Sequence, residues 1–388
     1  MPSKRKTSNI IEDSNCDSDD SEVIIFKRRR INVIDDSVSD NNIPNTGDIS
    51  KYIMVTENEY IDQGNSLQFI EMSGPRCRLS NRAKPIEYLK AKDKELEDAL
   101  NIALEAGYRH IDTAAVYQNE SVIGNVLKKW FDSGKLKRSE MFIVTKVPPM
   151  GNRPEDIEYW IKRSLQCLQL DYVDLYLVHV PFTFEGSRDN FFPMDEQGQM
   201  KLDCTTDHVK IWAEMEKQVE CGRTKAIGLS NFNISQIENV LKHAKLKISM
   251  LQVELHVYFQ QQKLVKFCKE KNIPITAYSS LGTRSTVKSW NKADEIPDML
   301  KNEVVLKLAE KHKKTPAQIL LRFIMQQGIV VIPKSTNRER IKENIQLFDF
   351  ELEPEDMEKL KALDLDEAGR ILDFTMFKGI TCHPQYPF

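Results

Sequence analysis

No apolar run in this chain approaches the roughly twenty residues a bilayer-spanning helix needs, so no membrane span is expected. Nothing like a secretory h-region follows the opening Met1-Pro2-Ser3-Lys4-Arg5-Lys6, which argues against an export signal. The seven cysteines are odd in number and form no Cys-x-x-Cys pair, a pattern that fits reduced thiols in cytosol or nucleus. No Cys or His residues stand at ligand spacing, so no metal site is expected. With 55 basic and 58 acidic residues the formal net charge is only -3, which excludes a nucleic-acid binder by bulk charge. No Gly-x-Gly-x-x-Gly follows any strand-like run, so a doubly wound dinucleotide fold is only the runner-up.

What is present divides in two. Residues 1–62 alternate basic clusters (Lys4-Arg5-Lys6, Lys27-Arg28-Arg29-Arg30) with acidic-serine runs such as Asp17-Ser18-Asp19-Asp20-Ser21-Glu22. Such a segment cannot bury enough apolar surface to offset its ordering entropy, so a disordered extension is expected. Two sharper readings accompany that one. The clusters at 4–6 and 27–30 are candidate nuclear-import signals, met by an import factor. The tetrads Val23-Ile24-Ile25-Phe26 and Ile31-Asn32-Val33-Ile34 resemble strands that bind the small ubiquitin-like modifier by sheet augmentation.

Residues 63–388 read as one folded body. Ser66–Ile70 with the turn Ser73-Gly74-Pro75 suggests a short hairpin. Beyond Asp93 the pattern becomes regular. Short apolar strands are expected at 109–112, 141–146, 173–179, 225–229, 250–254, 273–277 and 329–332. Helical stripes are expected at 94–106, 120–131, 155–168, 208–220, 234–243, 261–271 and 301–326, the last divided by Pro316. Alternation of this kind implies a parallel sheet. Seven units, with one strand more before Lys94, predict a (β/α)8 TIM barrel.

In a barrel the chemistry gathers where strands end. The strand ends carry Asp112, Lys146 and His179, with Tyr117 in the loop after Asp112. A lysine ending a buried strand must be paired, and Asp112 is its neighbour's end. Tyrosine holds its proton up to a pKa of about 10, and a nearby ammonium favours the phenolate, making the phenol a better acid. A neutral His179 could hydrogen-bond a carbonyl oxygen and steer it to that phenol. No side chain is a hydride donor, so a nicotinamide cofactor is implied.

The stretch Gly107-Tyr108-Arg109-His110-Ile111-Asp112-Thr113-Ala114-Ala115-Val116-Tyr117, with Lys146 and His179 following in that order, resembles the aldo-keto reductases. The resemblance runs from Lys94 to Phe388 and implies that Asp112, Tyr117, Lys146 and His179 are the catalytic tetrad. It further implies NADPH as cofactor. Gly228-Leu229-Ser230-Asn231-Phe232 matches the family strand end whose Ser and Asn hold the nicotinamide carboxamide, a task shared with Gln252. Tyr278 matches the tyrosine stacked on the ring, and Ser279, Leu281 and Gly282 fall where a strap crosses the pyrophosphate. Lys334, Ser335 and Arg340 match the holders of the 2′-phosphate, and Glu343 with Asn344 those of the adenine.

Four positions depart from the family pattern. The first strand, sought near 84–89, lacks the family's glycines and aromatic residue. Val180 stands where many members have Trp, Val257 replaces Pro, and Ser280 occupies a usual Pro position. The 183–207 loop, with Phe191-Phe192-Pro193, and the 371–388 segment are expected to wall a pocket for a hydrophobic carbonyl compound. The function expected is NADPH-dependent reduction of aldehydes and ketones in a cytoplasmic, or through the tail nuclear, monomer. The alternative is an impaired NADPH-binding barrel that acts as a redox-sensing or binding module.

Overall fold

In the computed structural model the strand-like runs become eight parallel strands hydrogen-bonded in chain order, β1 to β8. The structure describes residues 69–71, 87–186, 188–283 and 296–388, with side chains from Asp93 onward. The chain divides into Met1–Pro44 and Asn45–Phe388. The first unit, with its basic clusters and apolar tetrads, lies outside the described residues.

The strands are β1 (Phe69–Glu71), β2 (His110–Asp112), β3 (Phe142–Val147), β4 (Leu175–Val178), β5 (Ile227–Ser230), β6 (Leu251–Glu254), β7 (Ile275–Tyr278) and β8 (Val330–Val331). All seven expected from 109 onward are found, six of them shortened by one to three residues and the 141–146 strand shifted by one to Phe142–Val147. Between them run α1 (Glu87–Glu105), α2 (Glu120–Asp132), α3 (Pro154–Leu168), α4 (His208–Glu220), α5 (Ile234–Leu241) and α6 (Gln262–Glu270). After β7 come α7 (Glu303–His312) and α8 (Pro316–Met325), and after β8 come α9 (Arg338–Asn344) and α10 (Pro354–Lys361). β8 lies beside β1, which brings the two ends of the sheet together as a (β/α)8 barrel.

The helix boundaries follow from local chemistry. Asp207 caps α4 by accepting from the amides of Val209 and Lys210. Thr315 and Gln318 form a reciprocal capping box around Pro316, which explains the division of the 301–326 stretch. Gly134 and Gly328, at φ 71 and 76, stop α2 and α8 in the left-handed region.

One expectation is corrected. Residues 87–89, sought as part of the first strand, are the opening turn of α1, because the charged sequence from Glu87 continues a helical stripe without alternation. The first barrel strand is instead Phe69–Glu71, expected as one arm of a hairpin, which pairs parallel with β2 (Ile70 opposite Ile111). The rest of the expected hairpin lies outside the described residues.

Every strand from β2 onward is buried along its whole length, because helices cover its outer face and other strands its inner face. Alternation therefore sorts side chains between two apolar layers. Phe142, Val144, Leu175, Leu177, Ala226, Met250 and Val330 fill the barrel interior. Ile143, Val147, Tyr176, Val178, Ile227 and Leu229 pack against the helices.

α2 and α3 approach closely because Gly124 has no side chain. A Cβ there would lie 2.5 Å from the Cys167 oxygen and 2.7 Å from the Leu168 carbonyl. Gly124→Ala is expected to destabilise the fold by about 1–3 kcal/mol, despite alanine's better helix propensity. Denaturant unfolding measures this, and an unchanged midpoint would contradict the close approach.

Candidate active site

The alternation that builds the interior also builds the site. Continuing the inward positions toward the strand ends leads from Phe142 and Val144 to Lys146, from Leu175 and Leu177 to His179, and from His110 to Asp112. Ser230 and Tyr278 close β5 and β7 on the same face, and Gln252 joins them from within β6. Apolar layers below thus give way to a polar layer at the barrel mouth.

Lys146 and Asp112 are both wholly buried and form a direct ion pair. The ammonium also donates to the Thr113 carbonyl at 3.0 Å. The second Asp112 oxygen accepts from the Gln252 amide nitrogen at 2.7 Å. A buried charge of this kind is tolerable only when each of its polar contacts is met.

Tyr117 completes the group. It ends the short 3-10 turn Ala115–Tyr117. Its ring centroid lies 5.2 Å from the Lys146 ammonium and 5.6 Å from the His179 ring, which it meets nearly edge-on at 82°. All four residues expected to form a tetrad therefore converge at one mouth. Burial, reinforced by the Lys146 charge, holds the His179 imidazole well below its ordinary pKa, so the ring is neutral. Among the described residues its buried Nδ1 has no hydrogen-bond partner. His110, one layer deeper on β2, is pushed down to about 3 by the same two causes.

The residues matched to cofactor contacts fall into two sets. Ser230, Asn231, Gln252 and Tyr278 join the mouth. Asn231 adopts a left-handed backbone (φ 65), and its side-chain nitrogen donates to the His179 carbonyl at 2.8 Å and to Ser230 Oγ at 3.1 Å. The Tyr278 hydroxyl donates to Asn231 Oδ1 at 2.7 Å. Asn231 thus ties the ends of β4, β5 and β7 together. Ser279 (φ 56), half-buried Leu281 and Gly282 (φ 80) lead the chain away from β7. Beside Asn231 and Tyr278 a pocket of about 940 Å³ opens, bounded by Glu254, Phe259 and Arg370.

The second set follows β8. Lys334 and Arg340 are exposed, as is Arg338 near them, whereas Ser335 and Asn344 are buried and Glu343 is half-buried. Asn337 caps α9 by accepting from the Arg340 amide, and its own amide donates to Ser335 Oγ at 3.2 Å.

An apolar wall stands beside the mouth. The 183–207 loop folds on itself through antiparallel bridges at Phe184–Leu202 and Met194–Met200. The Met200 amide reaches the Lys378 carbonyl at 3.0 Å, so loop and C-terminal segment form one wall, as expected. Phe182, Phe184, Phe191, Phe374 and Ile380 pack there with Val180 and Ala115, residues adjoining His179 and Tyr117. Glu254 anchors the C-terminal segment, accepting from the amides of Ile371 (2.7 Å) and Leu372 (2.8 Å) and from His256 Nε2 (2.9 Å).

Sequence reading passed over Asn119, Glu120 and Thr145. Thr113 Oγ1 donates to Asn119 Oδ1 at 2.7 Å, and Thr145 Oγ1 to Glu120 Oε1 at 2.6 Å, all four residues buried. An acid opening a helix reads as ordinary dipole complementarity, so only Thr145 facing it in the fold gives Glu120 away.

Comparison with known proteins agrees with this geometry. The sequence profile of the Aldo/keto reductase family matches residues 84–365. Aldo-keto reductase family 1 member A1 of Mus musculus is 43% identical over 304 residues, covering 77% of this chain and 92% of its own. Prostaglandin F synthase 1 of Bos taurus is 42% identical over 297 residues, covering 76% and 89%. The aldose reductase structure from Schistosoma japonicum superposes with a TM-score of 0.70 at 38% identity, over 84% of this chain and 96% of that one. A profile match across most of the chain, relatives above 40% identity and a shared barrel lead to one conclusion: this oxidoreductase chain belongs to the aldo/keto reductase family.

Proposed function

We propose that the protein reduces hydrophobic aldehydes and ketones to alcohols with NADPH, Tyr117 giving the proton. The observation that carries this reading is the convergence of Tyr117, Lys146 and neutral His179 above a buried Asp112.

The residues present suit the cofactor. Exposed Lys334, Arg338 and Arg340 beside Ser335 offer the charge-assisted donors that a phosphate takes. Gln252 spends its amide nitrogen on Asp112, which leaves its oxygen to accept from a carboxamide. When bound, NADPH supplies the hydride that reduces the carbonyl carbon.

The chain's own groups do the rest. His179 is neutral at working pH, so it can hydrogen-bond a carbonyl oxygen without adding a second cation beside Lys146. The oxygen then lies toward Tyr117, whose phenol proton passes to it as negative charge develops. The ammonium beside the ring favours the phenolate left behind, and Asp112 pairs with that ammonium and holds it in place. The apolar wall of Phe182, Phe184, Phe191 and Phe374 excludes water and favours a hydrophobic substrate.

Full-length protein is expected to oxidise NADPH in the presence of nitrobenzaldehyde. Tyr117→Phe should lower kcat by about 10²–10⁴-fold while NADPH still quenches protein fluorescence on binding. Binding without turnover in the unaltered protein would instead select the impaired, ligand-sensing barrel.

The double variant Lys334→Ala/Arg340→Ala should weaken NADPH by roughly 10–100-fold and NADH by less than about threefold in the same titration. Equal losses for both would place the 2′-phosphate elsewhere.

Because His179 is neutral well below its ordinary value, kcat/KM should show no inflection near pH 6.5. An acid limb centred there, abolished by replacing His179, would mean that the imidazole titrates.

A further inference from the structure

Tyr117 sits on a segment that local conformation alone would not hold. The next residue, Gln118, takes a left-handed backbone (φ 54, ψ 32), a region that non-glycine residues seldom occupy. Such a residue persists where its surroundings over-determine it. Immediately beyond it, two buried side chains grip the two strands that carry the ion pair. Asn119 accepts from Thr113, the residue after Asp112, and Glu120 accepts from Thr145, the residue before Lys146.

We propose that Glu120, with Asn119, is a positioning residue for the proton donor. Its carboxyl fastens the exit of the Tyr117 loop to β3 and thereby fixes the phenol against Lys146 and His179. The proposal rests on Tyr117 being the proton donor and adds how that donor is held.

The geometry excludes direct participation. Thr145 and Lys146 point to opposite faces of β3, so Glu120 lies outside the barrel wall, between α2 and the strand, while Lys146 lies inside. Glu120 acts through the backbone that Thr145 and Lys146 share. Glu120 is 5% exposed, and burial raises its pKa, with the Thr145 hydrogen bond opposing that rise. A carboxyl that carried no constraint would be a costly group to bury here. Glutamine keeps an oxygen that can accept from Thr145, and alanine does not.

The test uses the full chain, NADPH and nitrobenzaldehyde. Glu120→Ala is expected to lower kcat by roughly 10–100-fold, the range for a displaced catalytic group, with KM for aldehyde and NADPH affinity within about twofold. Glu120→Gln should restore most of kcat. Thr145→Val, which preserves shape and removes the donor, should lose kcat as alanine at position 120 does, and it serves where Glu120→Ala fails to fold. Unchanged kcat in Thr145→Val, or Glu120→Gln as impaired as Glu120→Ala, overturns the proposal. Failure of Tyr117 as donor would show separately, as Tyr117→Phe retaining turnover.

Discussion

An ammonium with no exposure to water sits at the centre of this molecule, and most of the architecture around it can be understood as what makes it tolerable. Transferring such a charge out of water costs several kcal/mol, and only close, complete pairing offsets that. Lys146 obtains the pairing from Asp112 and the Thr113 carbonyl, both at the end of β2. Asp112 in turn is completed by Gln252 from β6. One buried charge therefore fixes the relative placement of three strands, and the same charge adds to the burial that depresses both His179 and the deeper His110. Structure and electrostatics are not separable here, because the pair that spans the barrel mouth also reinforces the effect of burial on the imidazoles beside it.

The strand alternation explains why this charge can sit at the mouth without unmaking the core. Inward positions are mostly apolar at the lower layers, from Phe142, Leu175 and Met250, and become polar toward the strand ends. Lys146 lies two residues beyond inward Val144 on β3, and Gln252 two residues beyond inward Met250. A slip of one residue in β3 would bury Thr145 in the interior and drive Lys146 into the helix layer. The parallel register, with Lys146 opposite Leu177 and Val147 opposite Val178, is thus a condition of the chemistry.

Much of this was legible in the sequence because the barrel strands are continuous apolar runs with polar last residues. Asp112, Lys146 and His179 stand out as charged or titratable groups where a hydrophobic pattern stops. Tyr117 and the cations near Lys334 needed the family resemblance, since a loop tyrosine or a charged helix start has ordinary structural explanations. The first strand was sought fifteen residues too late, because the segment around 84–89 stands just before the helical stripe expected from Lys94, where a strand belongs, and β1 is only three residues long. Glu120 was invisible for a different reason. Its partner Thr145 is an unremarked position inside a β-strand, and only the fold brings the two together.

The division of labour between strands and loops carries a consequence for how such a site can vary. Asp112, Lys146 and His179 stand at strand ends, and Asn231, Gln252 and Glu120 beside them are tied to neighbouring elements by buried hydrogen bonds. The apolar wall is built from the 183–207 loop and the C-terminal segment, which meet each other at Met200 and Lys378. These elements meet the strand ends at Val180 beside His179 and at the Glu254 carboxylate under Ile371 and Leu372. Under the proposed function, changes in the wall can therefore alter which carbonyl compound fits while the strand ends that carry the imidazole and the ammonium stay braced. Val180, next to His179 and packed in the apolar wall, is where wall and strand ends adjoin. That asymmetry, a rigid polar layer under an exchangeable apolar rim, follows from the placement of charge on strands and of aromatic residues on loops.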